Sequence, residues 1–118
     1  MTKIFTLAAA AVLLAASGAA SAAPDGKNRK ILIENNSSLS VRELYASPIT
    51  ATGWEEDLLG LKTLPVGESI KANVDNGTDE CYYDLKAVFD GGKAYEKRKV
   101  NVCAVSTWTL GDYGNTIE

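Results

Sequence analysis

The sequence predicts an all-β fold: a small antiparallel β-sandwich or barrel of five to six strands, with one hairpin disulfide and a minor helical turn. Three observations carry that expectation. Apolar residues recur mostly with a period of two, as strands with one buried face require. Turn signals rich in Gly, Asn, Ser and Pro separate the runs at short intervals. The two cysteines of the chain, Cys81 and Cys103, bracket a glycine turn, Asp90-Gly91-Gly92.

The order of elements follows from these signals. Lys30-Ile31-Leu32-Ile33-Glu34 reads as a short strand ended by the turn cluster Asn35-Asn36-Ser37-Ser38. Leu39, Val41 and Tyr45 alternate with Ser40, Arg42 and Ala46, the pattern of a half-buried strand, and Ser47-Pro48 stops it. In Trp54-Glu55-Glu56-Asp57-Leu58-Leu59-Gly60 acids come first and glycine last, which suits two turns of helix or a structured loop. Leu64 to Glu68 is a turn, and Ser69 to Val74 a strand. Asn76-Gly77 is the strongest short hairpin signal, because a type I′ turn needs positive φ at both central positions. Cys81 to Phe89 and Ala94 to Cys103 then form the stapled hairpin, with Ser106 to Leu110 as the last strand.

In a hairpin centred on Gly92 the cysteines fall opposite one another. The same register sets Tyr83 against Asn101 and Leu85 against Lys99; a one-residue bulge moves both towards Val100 and Val102. The bond closes a loop of about 22 residues, worth roughly 3 kcal/mol by chain entropy.

The N-terminus implies a compartment in which the bond persists. Met1-Thr2-Lys3, the apolar run Ile4 to Ala16 and the small residues Ala20-Ser21-Ala22 have the order of a secretory signal peptide. The run is short for a membrane span, so no transmembrane segment is expected after cleavage. The absence of a twin arginine favours general secretion, and the alanine-rich leader is of bacterial type, so the expected location is periplasmic or secreted. The expected organisation is residues 1–22 as leader, 23–29 as a flexible lead-in, 30–110 as a single β domain and 111–118 as a polar tail.

Composition narrows the function. Removing residues 1–22 leaves 96 of 118, enough for one small domain. Of 12 Lys and Arg only Lys3 leaves with the leader, so 11 face 15 Asp and Glu, a charge of −4. That balance argues against nucleic acid, and Lys97-Arg98-Lys99 beside Glu96 reads as a solvated strand face. The chain has no histidine. The Ser-His-Asp and Cys-His machineries and the usual zinc ligand sets are therefore absent, and no cofactor is expected. Glu55, Glu56 and Asp57 keep open a carboxylate hydrolase, though adjacent side chains scatter around a helix or loop. The oxygen-rich turn Asp75 to Glu80 offers raw material for a weak calcium site, without the EF-hand spacing. Trp54, Tyr82, Tyr83, Tyr95 and Trp108 either complete the core or mark a partner surface.

Several segments taken together resemble a family of small secreted bacterial proteins with no assigned activity. They are Asn35-Asn36, Tyr45-Ala46-Ser47-Pro48, Trp54 with Asp57-Leu58-Leu59-Gly60, Pro65-Val66-Gly67, Cys81-Tyr82-Tyr83-Asp84-Leu85, Asp90-Gly91 and Asn101-Val102-Cys103. Glu55 stands where that family is expected to carry glycine. Some relatives bear labels such as argininosuccinate lyase or Tat pathway signal protein; the first is physically implausible for a short chain without histidine. The resemblance implies a disulfide-bearing β-rich fold and adds no catalytic residues.

The expected function is that of an exported, non-enzymatic β-sandwich that binds an envelope or secreted protein partner. Its candidate binding residues are Tyr45, Trp54, Asp57 and Asp84, which lie on turns or strand ends where binding groups concentrate. An inhibitor or immunity protein acting on a secreted hydrolase is the alternative from a different class.

Overall fold

The computed structural model describes residues 24–118, so the leader expected over residues 1–22 lies outside the described residues. Among the described residues there are seven strands, more than the five to six expected: β1 Lys30–Asn35, β2 Val41–Pro48, β3 Ser69–Asn73, β4 Tyr82–Phe89, β5 Ala94–Asn101, β6 Thr107–Leu110 and β7 Asn115–Ile117. They form a four-stranded sheet ordered β3-β1-β6-β7 and a three-stranded sheet ordered β2-β4-β5. The all-β sandwich expected from the sequence is therefore the observed fold. One pairing departs from the antiparallel rule: β1 and β6 run parallel, with Ile33 opposite Trp108.

Period-two patterning accounts for the core. Ile31 and Ile33 of β1, Tyr83, Leu85 and Ala87 of β4, and Trp108 and Leu110 of β6 point inward and are buried. Burying a large apolar side chain contributes about 1.5–3 kcal/mol, so these faces supply the main driving force. Asn35 is also fully buried. Its Nδ2 donates to the carbonyls of Leu39 (2.9 Å) and Leu64 (3.1 Å), while its Oδ1 accepts from the amide and hydroxyl of Ser37. A buried amide group with all its partners shapes the turn after β1 rather than destabilising it.

Of the helical turn and the structured loop left open for Trp54 to Gly60, the loop is the one that forms. That segment runs along the outer edge of β2, where the Leu44 amide donates to Asp57 Oδ1 at 2.9 Å and the Leu58 amide to the Leu44 carbonyl at 2.7 Å. Edge amides that would otherwise be unpaired draw the loop into place.

Asn76-Gly77 does not close a hairpin. Gly77 has the expected positive φ of 88°, but β3 pairs with β1, and β4 with β2 and β5. The segment between them crosses from one sheet to the other. Asp75 and Asn76 bend it by accepting from the amides of Gly77 and Thr78. The dipeptide specifies local dihedrals, and the choice of neighbouring strand is made by the core.

The lead-in is fastened. Arg29, just before β1, has a fully buried side chain that grips Asp25 at 2.9 and 2.7 Å and donates to the Glu80 carbonyl at 2.8 Å. The tail is equally engaged: residues 115–117 pair with β6, because the buried Trp108 indole N–H needs an acceptor and finds Asn115 Oδ1 at 2.8 Å.

In the β4–β5 hairpin, Gly91 and Gly92 take φ of 89° and 95°, and the Gly92 amide closes the turn on the Phe89 carbonyl. Cys81 and Cys103 are bonded, with Cα atoms 5.4 Å apart. They lie just past the ladder, where the Val102 amide donates to the Cys81 carbonyl. The expected bulge exists, and Tyr83 faces Val100 as anticipated. Leu85 faces Lys97 instead of an apolar residue, because the extra residue sits opposite Asp84.

Candidate functional site

The outer face of the three-stranded sheet carries the most distinctive arrangement of side chains. Strand alternation sends Tyr45 from β2, Asp84 and Lys86 from β4, and Glu96 and Arg98 from β5 to that face, opposite to the buried Leu44, Leu85 and Val100. Across the ladder Tyr45 aligns with Lys86, and Lys86 with Glu96. The loop after β2 then folds back over the sheet. The buried Ser47 hydroxyl accepts from the Glu55 amide at 2.9 Å, which sets Trp54 above these residues.

Trp54 is half-buried and surrounded by cations. The Arg98 guanidinium lies 5.1 Å from its ring centroid and the Lys86 ammonium 5.8 Å. The Tyr45 ring is tilted against it at 6.2 Å. Both cations lie within the range in which an aromatic quadrupole attracts positive charge.

Asp84 organises the bulge beneath. Opposite Asp84 the chain holds two residues, Arg98 and Lys99, and Lys99 takes a left-handed φ of 54°. Asp84 Oδ1 accepts from the Lys99 amide at 3.0 Å, and Oδ2 from Arg98 Nη1 at 3.1 Å. Arg98 Nη2 donates to Glu96 at 2.6 Å. The carboxylate of Asp84 thus raises the guanidinium's pKa above its ordinary value and keeps it charged. At the other end of the face, the Tyr45 hydroxyl donates to Glu43 at 2.7 Å, and that carboxylate pushes the phenol's pKa up.

Between the post-β2 loop and the bulge lies a cleft of about 250 Å³, lined by Ser47, Pro48, Thr52, Gly53, Trp54, Asp84 and Arg98. The chain matches no family model, no curated protein and no solved structure. The chemistry of this face therefore carries the functional reading.

The four candidate residues separate into two roles. Tyr45, Trp54 and Asp84 converge on the outer face, with Arg98 bridging the last two. Asp57 does not join them, since its Oδ1 accepts from the amides of both Leu44 and Leu59 and pins the loop to β2. Glu55 and Glu56 line a different cleft of about 430 Å³, beside Asn73 and Asp75. In the turn proposed for calcium, Asp75, Asn76 and Glu80 accept from the amides of Gly77, Thr78 and Tyr82. Among the described residues no three Cys, Asp or Glu side chains converge as a metal site.

Arg98, Lys86 and Ser47 belong to the site and escape a linear reading. Lys97-Arg98-Lys99 looks like a plain solvated run; the bulge opposite Asp84 is what separates its members. The aromatics also divide. Trp108 and Tyr83 are fully buried in the core, Tyr95 packs edge-on against Phe89 at 5.5 Å, and Tyr82 remains exposed.

Proposed function

We propose that this protein is an exported, non-enzymatic binding module that engages an envelope or secreted protein through the outer face of its three-stranded sheet. The observation that carries the reading is the placement of Trp54. The core is completed by Trp108, whereas Trp54 stands outside it, half-buried, beside Tyr45 and a 60 % exposed Arg98. Trp, Tyr and Arg are the residue types that dominate hot spots of protein interfaces. Their grouping over one sheet face is the composition that a partner surface needs. The leader-like N-terminus and the disulfide agree with an oxidising compartment outside the cytoplasm. A chain lacking histidine, whose Asp57 is held by two backbone amides, favours binding over catalysis.

The test is affinity capture from envelope and medium fractions with wild type, Trp54→Ala and the exposed control Tyr113→Ala. Specific species retained by wild type and by Tyr113→Ala are expected to disappear with Trp54→Ala. Identical profiles from all three proteins would remove the Trp54 face as the contact surface. Recovery of a secreted hydrolase, inactive while bound, would select the inhibitor or immunity role within this reading.

A further inference from the structure

Charge is unevenly divided over this chain. Residues 82–101, the β4–β5 hairpin, hold five cations (Lys86, Lys93, Lys97, Arg98, Lys99) against three carboxylates (Asp84, Asp90, Glu96). The remaining seven Lys and Arg face twelve Asp and Glu. An acidic protein thus carries one locally basic element, two of whose cations, Lys86 and Arg98, lie in the floor under Trp54.

Two cations there have spare capacity for an anion. Arg98 spends one N–H on Asp84 and one on Glu96, while a guanidinium has five. Its planar fork is suited to a carboxylate. Lys86 makes no ion pair among the described residues; its ammonium sits over the Trp54 ring instead. Ammonium and guanidinium therefore flank one indole, and the cleft lined by Pro48, Gly53 and Trp54 opens beside them.

We propose that this face docks an acidic segment of the partner protein: carboxylates pair with Arg98 and Lys86 while a neighbouring apolar side chain enters the cleft against Trp54. The inference rests on the reading that this face is the contact surface, and it specifies the chemistry of what sits there. Spaced carboxylates fit better than a uniform run of phosphates, because Asp84 and Glu96 interrupt the basic surface between its cations. Complementary charge of this kind steers encounter and selects partners more than it adds affinity.

The two tryptophans allow a direct test. Trp108 is fully buried with its N–H held by Asn115, so its indole signal is an internal reference for that of Trp54. The intact protein is titrated, by NMR, with capped peptides acetyl-Glu-Glu-Phe-Glu-Glu-amide, its Gln and Lys counterparts, and a short single-stranded oligonucleotide. The Glu peptide is expected to shift the Trp54 indole saturably and leave Trp108 still. Lys86→Gln should weaken it about threefold, the scale of one exposed ion pair. The shift should vanish near 1 M salt, where the screening length is about 3 Å. Equal shifts with the Gln or Lys peptides, no shift with any peptide, or tighter binding of the oligonucleotide would each overturn the proposal. If Trp54→Ala abolishes partner capture while the Glu peptide leaves Trp54 unmoved, the face binds but its occupant is not acidic. If Trp54→Ala leaves capture intact, the surface itself is misassigned.

Discussion

Asp84 and Arg98 meet across the β4–β5 bulge, with carboxylate and guanidinium 3.1 Å apart, while the other oxygen of Asp84 holds the Lys99 amide at 3.0 Å. One side chain thus stabilises an irregular backbone and aims a cation at Trp54. Structural and surface roles are coupled at this position. Asp84→Ala is expected to lower stability by about 1–2 kcal/mol, the scale of hydrogen bonds to a charged group. Urea denaturation measures that loss, and the upfield shift that the Trp54 ring imposes on Arg98 side-chain protons should fall in the same variant. A variant with wild-type stability and an unmoved Arg98 would disconnect the two roles.

Lys99 supports a prediction of opposite sign. It is the non-glycine residue with positive φ among those described, a conformation that costs an L-residue roughly 1–2 kcal/mol. Lys99→Gly should raise stability by about 0.5–1 kcal/mol once the greater freedom of unfolded glycine is subtracted. A lower urea midpoint would show that the Lys99 side chain contributes more than its backbone costs.

The disulfide is a stability element. Its sequence separation of 22 residues corresponds to roughly 3 kcal/mol of loop entropy removed from the unfolded chain. The double variant Cys81→Ser/Cys103→Ser should therefore melt far below wild type while giving the same ligand-induced shift of Trp54 at low temperature. An unchanged melting temperature under oxidising conditions would contradict it.

Asp25 predicts the acid limb of the stability curve. The Arg29 guanidinium holds its carboxyl well below the usual carboxylate range. A depressed folded pKa contributes stability that is fully present above the unfolded value, about 3.9, and is lost as pH falls below it towards the folded value. Asp25→Asn should flatten the fall in melting temperature below about pH 4 relative to wild type. Parallel curves for the two proteins would show that the pair does not drive acid unfolding.

The C-terminal strand is predicted to be indispensable. Removal of residues 112–118 strips the acceptor from the Trp108 indole, and a buried unsatisfied donor costs about 1–3 kcal/mol. Asn115→Ala isolates that term from the loss of β7 pairing. Hydrogen exchange at the β6 amides should accelerate in both, and more in the truncation.

What could be read from the chain depended on whether the determinant was local. Lys30 to Glu34, the Asp90-Gly91-Gly92 turn and the two cysteines announce themselves through alternation, glycine and spacing, and the structure keeps all three. Tyr45, Trp54 and Asp84 stand out as candidates because aromatic and polar groups at turns are visible in a linear string. Arg29 was not, since its partners Asp25, Glu80 and Asp75 come from segments that look like solvated polar chain until folding brings them together. Arg98 was hidden by its neighbours Lys97 and Lys99. Asn76-Gly77 misled because a turn signal describes two residues and is silent about which strands they join. Asp57 looks like a binding residue in the sequence because its duty to the Leu44 amide depends on an edge thirteen residues away in sequence.

The parallel pairing of β1 with β6 has a consequence for the order of folding. Glu34 and Thr109 are hydrogen-bonded neighbours although 75 residues separate them. Strand β1 is thus flanked on one side by a segment made much later. High contact order of this kind slows folding, and here it also makes closure conditional on completion. A nascent chain can form the β4–β5 hairpin early, but its N-terminal strand stays half-paired until residues 107–110 arrive. Such a topology leaves one edge of the leading strand open, and its sheet incomplete, until residues 107–110 have been made.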